Sequence, residues 1–326
     1  MRSPNARSSP LTSDGSVDLV EAARAGDRGA LARLLTIVER GGPEAHAVGR
    51  LAYPLAGEAY TVGLTGAPGA GKSTLTSALV AEARAHDQRL AVLAIDPSSP
   101  YTGGAILGDR VRMSEHALDE GVFIRSMATR GHLGGLALAA PEAIRVLDAA
   151  GFGWVVVETV GVGQVEVEVA GSTDTTVVVV NPGWGDSVQA NKAGLMEIAD
   201  VFVVNKADRQ GAAQTAHDLE SMMDLTDTGR WRPPVIRTVA TAGDGVDLLW
   251  AAIGEHRRHL GQVGDLTVRR QARRRHELEL IVEQRVRAKA EGLLDDARRV
   301  QLHDEVAAGR LDPWSAADEI LRPLEA

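Results

Sequence analysis

Apolar residues occur along this chain in two patterns, short uninterrupted runs and stretches that repeat with a helical period. The runs have the length of strands that are buried on both faces of a sheet. They lie at 61–65, 89–95, 122–125, 154–157, 175–180, 201–204 and 235–238. Helical spacing follows the first run, as at Leu75 and Leu79. Strands that alternate with helices predict an α/β fold with a mostly parallel sheet.

Helical spacing also precedes the first strand. Leu31, Leu34 and Val38 share one face of a predicted helical extension over residues 17–58, which follows a polar terminus at 1–16. The extension carries no chemistry, so it is either a lid or packing brace, or an interface for a partner. Further along, we expect Pro141 in the first turn of a helix over 141–150, where its missing N–H is tolerated.

A glycine-rich loop links the first strand to a helix and fits the pattern G-x-x-x-x-G-K-[ST] of phosphate-binding loops. Glycines let backbone N–H groups point at a polyphosphate. Lys72 would neutralise the β and γ phosphates, and Ser73 would supply a hydroxyl to Mg²⁺. The expected nucleotide-binding residues here are Gly66, Ala67, Pro68, Gly69, Ala70, Gly71, Lys72, Ser73 and Thr74.

Two acidic residues are candidate ligands of the same Mg²⁺. Asp96 follows the second strand, and the carboxyl end of a parallel strand opens on the crevice where ligands bind. Asp109 lies in a glycine-rich segment of the kind that orders around a nucleotide and relaxes after hydrolysis. Asp96 also suits an acidic turn before Pro97, and spacing alone does not place Asp109 at the metal.

The fourth strand ends in Glu158-Thr159-Val160-Gly161, an acid and a glycine spaced like the D-x-x-G switch of GTP-hydrolysing proteins, with Glu in place of Asp. We expect Glu158 near the magnesium shell. The backbone N–H of Gly161 would meet the γ-phosphate and sense whether that group is present. Lys72, Glu158 and Gly161 are therefore the predicted catalytic residues.

A second strong motif follows the strand at 201–204. Asn205-Lys206-Ala207-Asp208 fits N-K-x-D, in which the aspartate accepts two hydrogen bonds that guanine offers and adenine does not. Asn205 would brace the loop and Lys206 would lie along the base. Backbone contacts to the base are expected from Val239, Ala240 and Thr241. The expected cofactors are therefore GTP or GDP, with Mg²⁺.

Composition narrows the class of protein. The 326 residues include 35 basic and 44 acidic side chains, a net charge of -9, so a broad basic surface for nucleic acid is not indicated. The chain has no cysteine, which excludes disulfides and thiolate metal sites and is compatible with a reducing cytoplasm. No apolar run approaches the roughly 20 residues of a membrane-spanning helix. We expect a cytoplasmic protein that binds neither nucleic acid nor membrane.

Charged residues dominate the C-terminal tail. Its arginine cluster consists of Arg269, Arg270, Arg273, Arg274 and Arg275. Because glutamates follow at once, the cluster favours a solvated helix face or a dimer contact over a nucleic-acid patch. His256 and His259 are interpreted as surface histidines, since no third metal ligand is near.

Together these motifs resemble the MeaB type of GTPase, over roughly residues 17–255. The resembling blocks are the phosphate loop, DPSSP at 96–100, GGAILGD at 103–109, RGHLGG at 130–135, ETVGVGQ at 158–164, PGWGD at 182–186, KAGLMEIAD at 192–200 and NKAD at 205–208. That family chaperones adenosylcobalamin-dependent methylmalonyl-CoA mutase. It was formerly described as a kinase or ATPase of a lysine, arginine and ornithine transport system.

The resemblance implies more than the residues show. It implies a dimeric P-loop NTPase of the SIMIBI class, the class of signal-recognition and nickel-insertion proteins, with a GTPase domain at 59–262 and a C-terminal dimerisation arm at 263–326. Hydrolysis of GTP would gate cofactor delivery to an acyl-CoA mutase. Asp186 and Lys192, together with Glu158, would couple the nucleotide to that partner. Gln164 is not adjacent to the switch glycine, so we expect slow intrinsic hydrolysis that a partner accelerates.

Two other functions stay open. A P-loop kinase or ATPase would transfer the γ-phosphoryl group to an amino-acid transport component, and the guanine motif argues against it. A metal-delivery GTPase would be expected to carry cysteines or a histidine-rich tract, and the chain has neither.

Overall fold

A seven-stranded parallel sheet forms the centre of the computed structural model of this chain. The structure describes residues 13–97, 116, 118–129, 135–159, 171–183, 194, 196–225, 231–293 and 296–325. The strands are β1 (Tyr60–Gly66), β2 (Leu90–Pro97), β3 (Val122–Thr129), β4 (Trp154–Thr159), β5 (Thr175–Val180), β6 (Val201–Asn205) and β7 (Val235–Thr238). Their order in space is β3-β2-β4-β1-β5-β6-β7, and every neighbouring pair is parallel. The predicted α/β fold is confirmed.

Helices precede the sheet, connect its strands and follow it. They are α1 (Ser13–Arg24), α2 (Arg28–Arg40), α3 (Gly42–Ala52), α4 (Lys72–Ala85), α5 (Gly135–Ala149), α6 (Ala212–Asp224), α7 (Val246–Val263), α8 (Asp265–Glu291), α9 (Asp296–Ala307) and α10 (Pro313–Glu325). A 3₁₀ turn at Tyr53–Leu55 follows α3. α5 begins six residues before Pro141, so the prediction that this proline lies in the first turn is wrong.

Alternate residues of the strands point to opposite faces, and both faces are covered. On β4, Val155 and Val157 belong to a core cluster with α5, whereas Val156 packs in a second cluster with α4 and α7. On β5, Val178 and Val180 pack with α6 in a third cluster. Burial on both faces explains why the strands are continuous apolar runs.

The N-terminal helices α1 to α3 belong to the core. Leu34, Leu35 and Val48 are fully buried in the same cluster as strands β2 to β4 and helix α5. Asp27 caps α2 by accepting hydrogen bonds from the backbone N–H groups of Gly29 (2.7 Å) and Ala30 (3.0 Å). The three helices therefore brace one face of the sheet.

The amino edge of the sheet carries an ion-pair cluster that the sequence interpretation missed. Asp174, buried just before β5, pairs with Arg270 (Nη2 to Oδ2, 2.8 Å) and with Arg273. Asp200, just before β6, accepts two hydrogen bonds of 3.0 and 3.1 Å from Arg269. The prediction that these three arginines belong to a solvated helix face or a dimer contact is therefore wrong. Their partners lie far away in sequence, so spacing alone could not reveal them.

These ion pairs set the protonation of Asp174. Burial alone would raise the pKa of Asp174, but Arg270 and Arg273 outweigh it and hold the pKa below its ordinary value of 3.8. Because the folded pKa is lowered, the pairs stabilise the fold fully above that ordinary value. Their contribution is lost as the pH falls through the lower folded pKa.

His256 is fully buried, so its interpretation as a surface histidine is wrong. Its Nδ1 lies 2.8 Å from the hydroxyl of Thr175, which lies 2.6 Å from the hydroxyl of Tyr60. Its Nε2 lies 3.3 Å from a carboxylate oxygen of Asp200. Burial raises the pKa of Tyr60 to about 12, so this phenol stays neutral at physiological pH.

The chain divides into two compact units, Met1–Arg273 and Arg274–Ala326. In the second unit, Leu302 of α9 and Ala316 of α10 are buried. The domain divisions predicted after residues 58 and 262 stay predictions. None of the helices in the described ranges is both long and apolar enough to cross a membrane.

Replacing Asp174 with Asn should lower the free energy of unfolding at pH 7 by about 3 kcal/mol, because the partly buried Arg270 and Arg273 lose their buried counter-charge. Urea unfolding measures this change. The difference from the unsubstituted protein should begin to shrink below pH 3.8, where Asp174 of the unfolded chain takes up a proton, and it should be lost as the pH falls through the lower folded pKa. The exposed Asp304→Asn is the matched control. Equal stability of both variants at pH 7 would contradict the importance of the ion pairs.

Candidate nucleotide site

The loop between β1 and α4 has two glycines at positions where a side chain would clash with its neighbours. Gly66 has φ 131°, and a Cβ there would lie 2.0 Å from the carbonyl oxygen of Val179 on β5. Gly71 has φ 92°, and a Cβ there would lie 2.5 Å from Nδ2 of Asn205. Both positions need glycine, so the sequence pattern has a steric cause.

Lys72 begins α4 and is largely buried. Its ammonium group donates hydrogen bonds to the carbonyl oxygens of Gly66 (2.7 Å) and Ala67 (3.2 Å). The positive charge therefore lies inside the curve of the loop. The amino end of α4 adds its own positive potential at the same place. An anion is the ligand that such a site favours.

Glu158 lies at the end of β4 and has no exposed surface. Its Oε1 accepts a hydrogen bond of 2.6 Å from the hydroxyl of Ser73, and its Oε2 accepts one of 2.7 Å from the hydroxyl of Thr76. A buried carboxylate needs donors of this kind. Sequence reasoning missed Thr76, although its position three residues after Ser73 placed both hydroxyls on one face of α4.

Asn205, at the end of β6, joins three segments of the site. Its Nδ2 donates to the carbonyl oxygen of Ala70 in the phosphate loop at 2.8 Å. Its Oδ1 accepts from the hydroxyl of Thr238 (3.1 Å) and from the backbone N–H of Ala240 (3.2 Å). The guanine motif, the phosphate loop and the segment after β7 are thus held together by one buried amide.

Lys206 adds a second link to the phosphate loop. It has φ 58°, which is unusual for a residue other than glycine, and its Nζ donates to the carbonyl oxygen of Gly69 at 2.7 Å. The backbone N–H of Ala207 donates to the carbonyl oxygen of Thr238 at 2.9 Å. Asp208, the predicted base reader, is exposed.

The remaining predicted contact residues are found around these links. Val239 forms a bridge to Asp244, with its N–H donating to the Asp244 carbonyl at 3.0 Å. Thr241 is exposed beside the buried Ala240. In the phosphate loop, Pro68 is exposed, whereas Thr74 of α4 is half-buried.

Several predicted residues fall outside what the structure describes. Asp96 lies at the carboxyl end of β2, but its side chain is not among the described ones. Asp109, Gly161, Asp186 and Lys192 lie outside the described ranges. The roles assigned to these five residues stay predictions.

Oxygen donors for a metal ion lie beside the phosphate loop. Within the described ranges, no three side chains of His, Asp or Glu converge as a metal site. The hydroxyl of Ser73 and the carboxylate of Glu158 supply two oxygens there. Mg²⁺ in nucleotide sites is usually held by one or two protein oxygens, with phosphates and waters completing its shell. The donor set therefore fits Mg²⁺ bound together with a nucleotide.

The sheet, the glycine loop and the lysine at its helix define a P-loop NTPase. Residues 31–293 match the family described as Methylmalonyl Co-A mutase-associated GTPase MeaB, and the chain belongs to this family. The resemblance stated from the motifs is confirmed.

Three relatives with similar sequences support the assignment to this family. A putative GTPase of Pyrococcus abyssi is 51% identical over 311 residues, which cover 94% of this chain and 96% of the relative. The GTPase ArgK of Escherichia coli is 40% identical, covering 76% and 78%. The mouse protein named Methylmalonic aciduria type A homolog, mitochondrial, is 34% identical, covering 82% and 66%.

A solved structure supports the predicted class of fold. The crystal structure of a LAO/AO transport system kinase has a TM-score of 0.72 and 28% sequence identity, and the match covers 98% of this chain and 100% of that one. The predicted P-loop NTPase fold, a parallel sheet flanked by helices, is confirmed.

Replacing Asn205 with Ala should lower the free energy of unfolding by about 2–3 kcal/mol, because the groups it bonds stay buried and lose their partner. Thermal or urea unfolding measures the loss. Gln210→Ala, an exposed amide in the next loop, is the control and should change stability little. An unchanged stability of the Asn205 variant would show that the three segments hold together without this amide.

Proposed function

We propose that this protein is a Mg²⁺-dependent GTPase that acts as chaperone and gatekeeper of an adenosylcobalamin-dependent acyl-CoA mutase, methylmalonyl-CoA mutase or a relative. Hydrolysis of GTP is coupled to loading and protection of the mutase cofactor. One observation carries the nucleotide part of the proposal. Asn205 and Lys206 both bond the phosphate loop, and Asp208, two residues further along the same motif, is exposed.

Different groups of the site would bind the phosphates and the base of the nucleotide. Backbone N–H groups of the loop at residues 66–71, except at Pro68, which has none, and the ammonium of Lys72 would receive the phosphates. The carboxylate of Asp208 would accept hydrogen bonds from guanine, and the segment 239–241 would close over the base. A carboxylate at this position discriminates against adenine because it would face a ring nitrogen that carries no hydrogen.

Ser73 and Glu158 would hold Mg²⁺ directly or through water, and the contact of 2.6 Å between their side chains supports this pairing. Asp96 and Asp109 are the further ligands proposed from the sequence. Bound Mg²⁺ supplies positive charge that neutralises the charge developing on the phosphates during hydrolysis. Lys72 adds a fixed positive charge of the protein to the same region.

Release of the γ-phosphate would be sensed by the backbone of Gly161 and passed on through Asp186 and Lys192. This part of the proposal rests on the family resemblance and on the position of Glu158 at the end of β4, three residues before Gly161. A segment that orders around the γ-phosphate and relaxes without it is the usual device of nucleotide switches.

The mutase partner is supported by two names. The family description contains methylmalonyl-CoA mutase, and the mouse relative is named for methylmalonic aciduria. A homodimer is proposed as well, and α8 supports it with Leu278, Val282 and Val286, which are exposed at intervals of four residues. We place the protein in the cytoplasm, without a nucleic-acid or membrane partner.

A kinase or ATPase that phosphorylates an amino-acid transport component is the second candidate. The similarity to a solved LAO/AO transport system kinase, which extends over nearly the whole chain, favours it. The two functions differ in the fate of the γ-phosphoryl group. A GTPase releases inorganic phosphate, whereas a kinase leaves the phosphoryl group on an added amino acid or carrier protein.

Replacing Asp208 with Asn should weaken GTP binding roughly ten- to hundredfold and improve binding of xanthosine triphosphate, because the amide offers one donor and one acceptor to the base. Calorimetry with GTP, XTP and ATP in the presence of Mg²⁺ measures the preference. Asp218→Asn, at an exposed contact on α6, is the control. Equal or tighter binding of ATP than of GTP by the unsubstituted protein would refute the assignment.

The native protein should retain an acyl-CoA mutase during purification, more strongly with a non-hydrolysable GTP analogue than without nucleotide. Mass spectrometry identifies what is retained, and a purified mutase then tests direct binding. Lys72→Ala, which should bind the triphosphate poorly, is the matched control. If the affinity for the purified mutase changed neither with the nucleotide nor with the Lys72→Ala substitution, control of the chaperone by nucleotide would be contradicted.

A further inference from the structure

Two hydroxyl groups of helix α4 donate hydrogen bonds to Glu158. Only that of Ser73 belongs to the predicted phosphate site. Ser73 lies next to Lys72 and is the proposed Mg²⁺ ligand. Thr76 lies one turn further along α4 and is completely buried. The two hydroxyls contact different oxygens of the same carboxylate, Ser73 at Oε1 and Thr76 at Oε2.

We propose that Thr76 is a positioning residue of the GTPase, which holds the carboxylate of Glu158 in the orientation that Mg²⁺ binding and hydrolysis require. The inference rests on the proposed function of this site. Thr76 lies three residues beyond Ser73, the last residue of the phosphate-loop pattern, and acts through its contact with Glu158. Nothing in the phosphate-loop pattern, which ends at Ser73, predicts such a role.

Two contacts fix the position of the Thr76 hydroxyl. Its oxygen lies 3.0 Å from the carbonyl oxygen of Lys72 and 2.7 Å from Oε2 of Glu158. A threonine in a helix commonly adopts the rotamer that reaches the carbonyl four residues earlier. The hydroxyl has one proton, and the shorter distance and the negative charge direct that proton to Glu158.

Glu158 needs such a holding group for two reasons. Its side chain is one methylene longer than the aspartate of the D-x-x-G switch, so it has one more rotatable bond whose freedom must be lost. Ser73 has a second task, because its hydroxyl oxygen is also the proposed Mg²⁺ ligand. Thr76 has no proposed contact with the nucleotide, so it can keep Oε2 of Glu158 in place both with and without bound Mg²⁺.

The test compares Thr76→Val, which removes the hydroxyl and keeps the shape, with Thr76→Ser, which retains the hydroxyl. Thr36→Val is the control, since Thr36 makes the same type of contact to the carbonyl of Ala32 (2.9 Å) on α2. Two quantities are measured on the full chain. The first is kcat and KM for GTP, and the second is the Mg²⁺ concentration that half-maximally slows release of a fluorescent GDP.

We expect Thr76→Val to lower kcat about tenfold and to raise the half-maximal Mg²⁺ concentration about tenfold, because groups that orient metal ligands carry effects of this size. KM and GDP affinity without Mg²⁺ should stay within about twofold, and Thr76→Ser should restore both altered quantities. A purely structural hydroxyl would alter thermal stability and leave the Mg²⁺ dependence unchanged.

Two results overturn the proposal: a Thr76→Val variant whose kcat and Mg²⁺ dependence match those of Thr36→Val, or a Thr76→Ser variant that restores neither. Failure of the proposed function looks different. If the unsubstituted protein bound GDP with Mg²⁺ but did not hydrolyse GTP, hydrolysis would be rejected. The Mg²⁺ dependence of GDP release would still decide the role of Thr76.

Discussion

A sheet that is buried on both faces leaves its two edges as the places where charged side chains can lie, and this constraint organises the whole first unit. Val155 and Val157 face one layer of helices and Val156 faces the other, so the middle of β4 carries only apolar side chains. Because all strands are parallel, their carboxyl ends meet at one edge and their amino ends at the other. The two edges have different tasks.

The carboxyl edge concentrates positive charge and hydrogen-bond donors around a backbone loop. Strand β1 lies between β4 and β5, so the phosphate loop begins between the end that carries Glu158 and the carbonyl of Val179. Asn205 then ties the loop to the guanine motif on β6. The groups proposed to bind the phosphates and those proposed to bind the base are thereby held at a constant separation, which a site for one nucleotide requires.

The amino edge uses charge for stability. Asp174 and Asp200 each precede a strand and bind arginines from the first turns of α8. Asp174 also accepts a hydrogen bond from the backbone N–H of Thr61, next to the start of β1. The beginning of α8 is therefore fixed to strands whose other ends carry the nucleotide site. Ion pairs of this kind are stabilising only when the buried carboxylate is well surrounded by donors, as Asp174 is.

Local patterns determined much of this protein. Continuous apolar runs gave strands close to those observed, with β5 and β7 at the predicted bounds. The nucleotide motifs, together with the other resembling blocks between residues 96 and 200, indicated the family. Such signals depend on residues a few positions apart, and their periods and steric needs can be inferred without a fold. The tertiary structure decided the partners of Arg269 and Arg270, the burial of His256 and the contact of Thr76 with Glu158. Those partners lie 69, 96, 81 and 82 residues apart, and only the order of strands in the sheet brings them together.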